Sequence, residues 1–310
     1  MSENPLTSGS RWLLAGLILI LPITVLVIRV THWGMLDQTA LFYLGLPTAI
    51  ALLVVFTARP KSGTGVSMAA LTVVLAMAAL LLGEGMVCLI IAAPLLYGMI
   101  AIVSGIASLI ARGGRGSQQA LFAVPLLFVL TLEGVAGITF LPRADQGEGS
   151  VFVDAAPVDV ASALAAPPAY GPFEAPFLRA VPFPEPVAAT GTGLAVGDTR
   201  AVEFTPRTTF QIGSEPTPRH LDLEIVESEV RADGGRVVFE VAEDATFARW
   251  MDMHRATATW TAEADGTRMT WTIDYDRTYE PSWYFGPIQA YATDLAAGYL
   301  ADTFADEALR

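Results

Sequence analysis

Hydrophobic positions fall into two regimes along the chain. Up to residue 142 they form long unbroken runs, at 12–30, 40–58, 66–82, 86–111 and 120–141. A bilayer core of about 30 Å needs about 20 apolar residues in a helix. The runs therefore predict about five membrane-spanning helices. Gly83-Glu84-Gly85 separates the third run from the fourth. Taken as one helix, the two would be far too long for a single crossing, and glycine permits a tight reversal there. From residue 150 the pattern alternates instead. Leu221, Leu223 and Ile225 alternate with Asp222 and Glu224. Val237, Phe239 and Val241 follow an Asp233-Gly234-Gly235 turn. Ala256, Ala258 and Trp260 alternate with threonines, and Met269, Trp271, Ile273 and Tyr275 follow Asp265-Gly266. A period of two with one apolar face predicts a half-buried antiparallel sheet. The chain then returns to a helical period. Ile288, Tyr291, Leu295, Tyr299 and Phe304 are spaced to share one face of a helix over 284–308.

Charge divides the chain at the same place. Of the net −13, residues 1–142 contribute +2 and residues 143–310 contribute −15. This excludes a single uniform domain, a disordered chain and nucleic-acid binding through a basic face. One cysteine excludes a disulfide framework and a cysteine-rich zinc site. With five spans, Arg11, Arg59, Lys61, Arg112 and Arg115 fall on one side, which the positive-inside bias makes cytoplasmic. The expected layout is an integral protein of the cytoplasmic membrane. Residues 1–142 are its helical domain, 143–149 a linker, and 150–310 a domain on the periplasmic or extracellular side.

Chemistry-bearing residues are sparse. Glu84 and Glu133 fall in or near the apolar runs, where carboxylates are costly and serve as functional candidates. With His32 and Asp37 they define an intramembrane or outer polar patch, for a ligand headgroup or a partner. Solvated or locally bonded carboxylates are the plainer reading. No nucleophile elbow, zinc-protease motif or P-loop is present. The three histidines lack metal-ligand spacing, so no metal and no cofactor are expected. His254, near Trp250, Asp252 and Arg255, is the single acid–base candidate; an edge-strand histidine is the alternative.

The order of strand, short helices, meander and long terminal helix resembles the START-like, Bet v 1-like superfamily that includes polyketide cyclases. The likeness is strongest over WTIDYDRTYEPSWYFGPIQAYATDLAAGYLADTF, from Trp271 to Phe304, and at VFVDAAPVDVASAL near residue 151. It implies a helix-grip fold, in which a curved antiparallel sheet wraps the C-terminal helix around an apolar cavity. The residues placed in that cavity are Trp260, Met269, Trp271, Ile273 and Tyr275 from the sheet. Ile288, Tyr291, Leu295 and Tyr299 come from the helix. The implied function is membrane-tethered binding of a lipid or isoprenoid-like molecule. Two alternatives stay open. One is a cyclase-type enzyme on an aromatic or polyketide-like substrate; the other is a structural or regulatory membrane protein without a ligand. Expected partners are membrane lipids, a small hydrophobic ligand and a further membrane protein, with no nucleic acid.

Overall fold

The computed structural model describes residues 8–33, 46–58, 60–81, 86–111, 133, 139–180, 183–207, 217–248 and 250–310. The chain divides into two compact units, 1–128 with 208–217, and 129–207 with 218–310.

The first unit contains helices α1 (Ser8–Trp33), α2 (Leu46–Thr57), α3 (Gly63–Leu81) and α4 (Met86–Ala111). Ile18, Ala51, Val55 and Ala76 form its buried apolar cluster. Outward positions, among them Leu13, Leu17, Leu53 and Val74, are apolar as well. Among the described residues no helix is long and apolar enough to cross a membrane. That finding overturns the expected bundle of five spans and the integral-membrane location with its inside–outside assignment. The reason is plainest for the run at 40–58. Among the described residues of that run the helix is Leu46–Thr57, and its 12 residues reach about 18 Å against the roughly 30 Å required. Most of the run at 120–141 lies outside the described residues, as do Glu84 and Asp37. His32 lies within α1, but its side chain is not described.

The second unit has the expected α+β order. It runs β1 (Ala144–Val153), α5 (Pro157–Leu164), α6 (Pro176–Ala180), β2 (Pro186–Thr190), β3 (Thr199–Arg207), β4 (Thr217–Arg231), β5 (Gly234–Asp244), β6 (Met251–Glu263), β7 (Gly266–Arg277) and α7 (Ser282–Ala308). Seven strands form one sheet in the order β1-β7-β6-β5-β4-β3-β2. The first strand therefore pairs with the last, antiparallel, from Ala144 opposite Asp276 to Val153 opposite Thr267. The expected linker at 143–149 is thus almost wholly the first part of β1. Its polar, glycine-rich sequence hides a strand that lies at the sheet edge beneath a helix.

That helix, α7, approaches β1 and β7 closely. Its buried residues are Ser282, Gly286, Thr293, Ala297, Ala301, Thr303, Phe304 and Ala305. The buried face is therefore mostly small residues, beside the Ile288–Tyr291–Leu295–Tyr299 face that the apolar spacing predicts. The cause is on β1. A side chain at Gly147 would strike Thr293, and one at Gly149 would meet the backbone of Ala297 and Gly298. Backbones this close admit alanine and threonine but not leucine or tyrosine. The β1 edge is also covered: the Glu148 N–H donates to Asp294 Oδ1 at 2.9 Å. An edge with its hydrogen-bonding groups engaged is protected from pairing with other chains.

Candidate functional site

The inner face of the sheet is mostly apolar. Leu221 and Ile225 of β4, Val237 and Phe239 of β5, Met253, Ala256, Ala258 and Trp260 of β6, and Met269, Trp271 and Ile273 of β7 share one buried cluster. Tyr275 is buried as well. The five sheet residues expected to line a cavity are thus brought together on one face. The four from the helix are not. Tyr291 is 53% exposed. Ile288 and Leu295 are half-buried. Tyr299 lies under the proline-rich segment, donating to the Gly171 carbonyl at 2.6 Å and meeting Phe173 edge-on at 4.9 Å.

The two ends of this interior differ. Toward the β6–β7 hairpin it is filled. Val160 and Leu164 of α5 pack with Val153, Trp260 and Met269. Trp271 is stacked between Phe239, at 5.8 Å, and Phe304 of α7, at 5.2 Å. At the opposite end Leu223, Val241, Phe247 and Met251 remain only partly buried against the same cluster. Aromatic rings form a rim there. Tyr291 contacts Phe177 at 5.3 Å, Phe177 contacts Phe183 at 6.1 Å, and Phe183 contacts Trp250 at 6.4 Å. The chain of rings runs from α7 through α6 to the start of β6. Gln289 of α7 donates to the Trp250 carbonyl and ties the rim to the helix. Sequence reasoning missed Phe177 and Phe183. They are two aromatics in an otherwise proline- and alanine-rich stretch, which was the available signal.

Tyr275 and Arg277 bring polar groups to this end of the inner face. The Tyr275 hydroxyl donates to Asp145 Oδ2 at 3.3 Å. Burial, with the Asp145 charge second, pushes the phenol up to about 12. It stays protonated and can donate at any ordinary pH. His254, the acid–base candidate, is elsewhere. Its side chain is half exposed and its Nε2 stands 3.3 Å from Asp276 Oδ2. A bulge between Met253 and Arg255 separates it from the inward positions. It lies at the surface beside Asp276, away from the inward-facing positions of β6.

Of the expected polar patch, Glu133 is the member whose side chain is described. It is buried and grips the start of α7. Ser282 donates its N–H to Oε2 at 2.9 Å and its hydroxyl to Oε1, and the Phe140 N–H donates to Oε1 at 2.6 Å. A carboxylate here satisfies an orphan N–H of the first helical turn and complements the helix dipole. Burial pushes its pKa up, but the bonds from Phe140, Ser282 and Thr139 outweigh this and hold it below the ordinary carboxylate value. Its stabilising contribution is therefore fully present above the ordinary carboxylate range and is lost as pH falls through the depressed value. Glu133→Gln should lower the melting temperature near neutral pH. The gap from the parent should hold steady from about pH 7 to about 5 and close as pH falls further toward about 3, as thermal melts across that range would show.

No protein-family model matches the chain, and no curated protein matches it. Solved structures do. One is a protein from Thermus thermophilus, 14% identical, covering 53% of this chain and 97% of its own, with a TM-score of 0.33. A norcoclaurine synthase point mutant from Thalictrum flavum, in complex with a transition-state analogue, is 13% identical over 55% of this chain and 98% of its own, with a TM-score of 0.34. The ginseng major latex-like protein 151 from Panax ginseng is 16% identical over 51% of this chain and 98% of its own, with a TM-score of 0.27.

Proposed function

We propose that the second unit is a binding domain for one small hydrophobic molecule of the lipid or isoprenoid class, held between the inner sheet face and α7. The observation that carries this reading is the asymmetry of the interior. One end is filled by side chains, and at the other Leu223, Val241, Phe247 and Met251 leave apolar surface partly open behind an aromatic rim. Concave, mostly apolar sites with a few polar groups are what small ligands require.

The test is titration of the full chain with a fluorescent polyene fatty acid. Saturable binding of one equivalent is expected. Leu223→Trp, which fills the open end, should weaken it by at least about tenfold, or 1.4 kcal/mol. Its melting temperature should stay near that of the parent, because Leu223 is only partly buried. Unsaturable uptake, or equal affinity in the variant, would overturn the reading.

A further inference from the structure

A side-chain cluster on the opposite face of the sheet has no role in the ligand-binding reading. His220 and Asp222 are two residues apart on β4 and so project to the same face. Glu243 on β5 is the register partner of Asp222. His220 Nε2 lies 3.3 Å from Glu243 Oε1, and one donor atom from each of the three residues lies within 4.8 Å of the others.

A bulge builds this arrangement. Asp222 pairs with Glu243 and Leu223 with Val241, so Ala242 has no partner. In regular pairing of the same sequence, Glu243, two residues on from Val241, would fall on the apolar face with Val241 and Phe239. With the bulge, Glu243 turns outward beside Asp222. Re-aiming a side chain is a recognised use of bulges. The backbone beneath is fixed: the His220 carbonyl accepts from the Ala245 N–H at 3.0 Å and from the Thr246 hydroxyl at 3.0 Å.

The charge pattern is costly as it stands. Like charges directly opposite across strands are destabilising. Asp222 faces Glu243, and the next outward pair, Glu224 and Glu240, repeats the conflict. Glu240 has Arg255 opposite it on β6, whereas beside Asp222 and Glu243 stands His220. A local rule broken in this way marks a functional site when something else relieves it. A divalent cation would do so, neutralising both carboxylates and using the imidazole nitrogen.

We infer that His220, Asp222 and Glu243 form a binding site for a first-row divalent transition metal, of which zinc is the representative. Imidazole selects zinc-like ions over magnesium and calcium, which favour all-oxygen sites. Ligand atoms about 2.0–2.2 Å from zinc stand closer to one another than the largest separation here. The side chains of His220 and Glu243 are partly exposed, so they have room to rotate toward a shared ion.

Calorimetric titration of the full chain, without a polyhistidine tag and after chelator treatment, tests this. Zinc ion should bind at one equivalent with micromolar affinity, and magnesium and calcium ions should compete weakly. His220→Gln, Asp222→Asn and Glu243→Gln should each weaken zinc binding by at least about tenfold, and His254→Gln should leave it unchanged. All four positions are at the surface, so circular dichroism and melting temperature should stay near the parent values. Absence of saturable zinc binding, binding undiminished by His220→Gln, or tighter binding of calcium than of zinc would each overturn the proposal.

Discussion

Gly149→Val is expected to lower the melting temperature by about 6–12 °C, equivalent to about 3 kcal/mol at 2–4 °C per kcal/mol for a unit of this size. Strand propensity alone points the other way, since valine suits a strand better than glycine. The decisive fact is the approach of α7. A Cβ at Gly149 would overlap the Gly298 nitrogen and lie 2.5 Å from the Ala297 carbonyl carbon, atoms of a helix backbone that cannot rotate away. The helix has to retreat from β1, and the pairing of α7 with the sheet edge loosens. The partner glycine gives the opposite expectation. A Cβ at Gly298 meets nothing within 4 Å, so Gly298→Ala should stabilise by about 0.5–1 kcal/mol through helix propensity. Thermal melts of the two variants, with exposed Ser150→Val as a propensity control, check both signs at once.

The second large effect is at the corner before α7. Arg277 is 3% exposed. It donates to the Pro142 carbonyl at 3.1 Å, the Leu141 carbonyl at 3.2 Å and the Thr139 hydroxyl at 3.3 Å. It also stands 3.8 Å from Glu280, whose side chain is 11% exposed. Arg277→Met removes every one of these contacts and leaves the Glu280 carboxylate with half-exposed Arg143, 3.6 Å away. Breaking a buried pair by deleting one member costs about 3–5 kcal/mol. The variant should be destabilised by an amount in that range. Adding Glu280→Gln should recover part of the loss, because the stranded charge goes with it. A double-mutant cycle in chemical denaturation measures this; strictly additive losses would show that the two groups do not interact.

The sequence carried much of the second unit and little of the first. Alternation from Leu221 to Tyr275 fixed which strand residues face inward, because a period of two leaves no other choice once one face is apolar. The terminal helix was legible in extent but not in orientation. Leu295 and Tyr299 looked like its core face, yet Thr293, Ala297 and Ala301 are buried, and only Gly147 and Gly149 on a distant strand explain this. β1 was hidden for the same reason, its glycines reading as a loop. Glu133 grips Ser282 across 149 residues of sequence, a contact that no local pattern reveals. The outward turn of Glu243 depends on a one-residue bulge and was invisible as well. The apolar runs of the first unit were read through length and composition alone. Among the described residues, no helix is long and apolar enough to cross a membrane.

The central claim is that the interior behind the aromatic rim takes up an apolar molecule. Methyl NMR on the chain with labelled methionines tests it most directly. At saturating polyene fatty acid, the methyl groups of Met253 and Met251, which lie on the inner face at the open end, should shift and show nuclear Overhauser contacts to the ligand chain. Unchanged Met253 and Met251 signals at saturation, with contacts confined to other methionines, would place the ligand elsewhere and contradict the account.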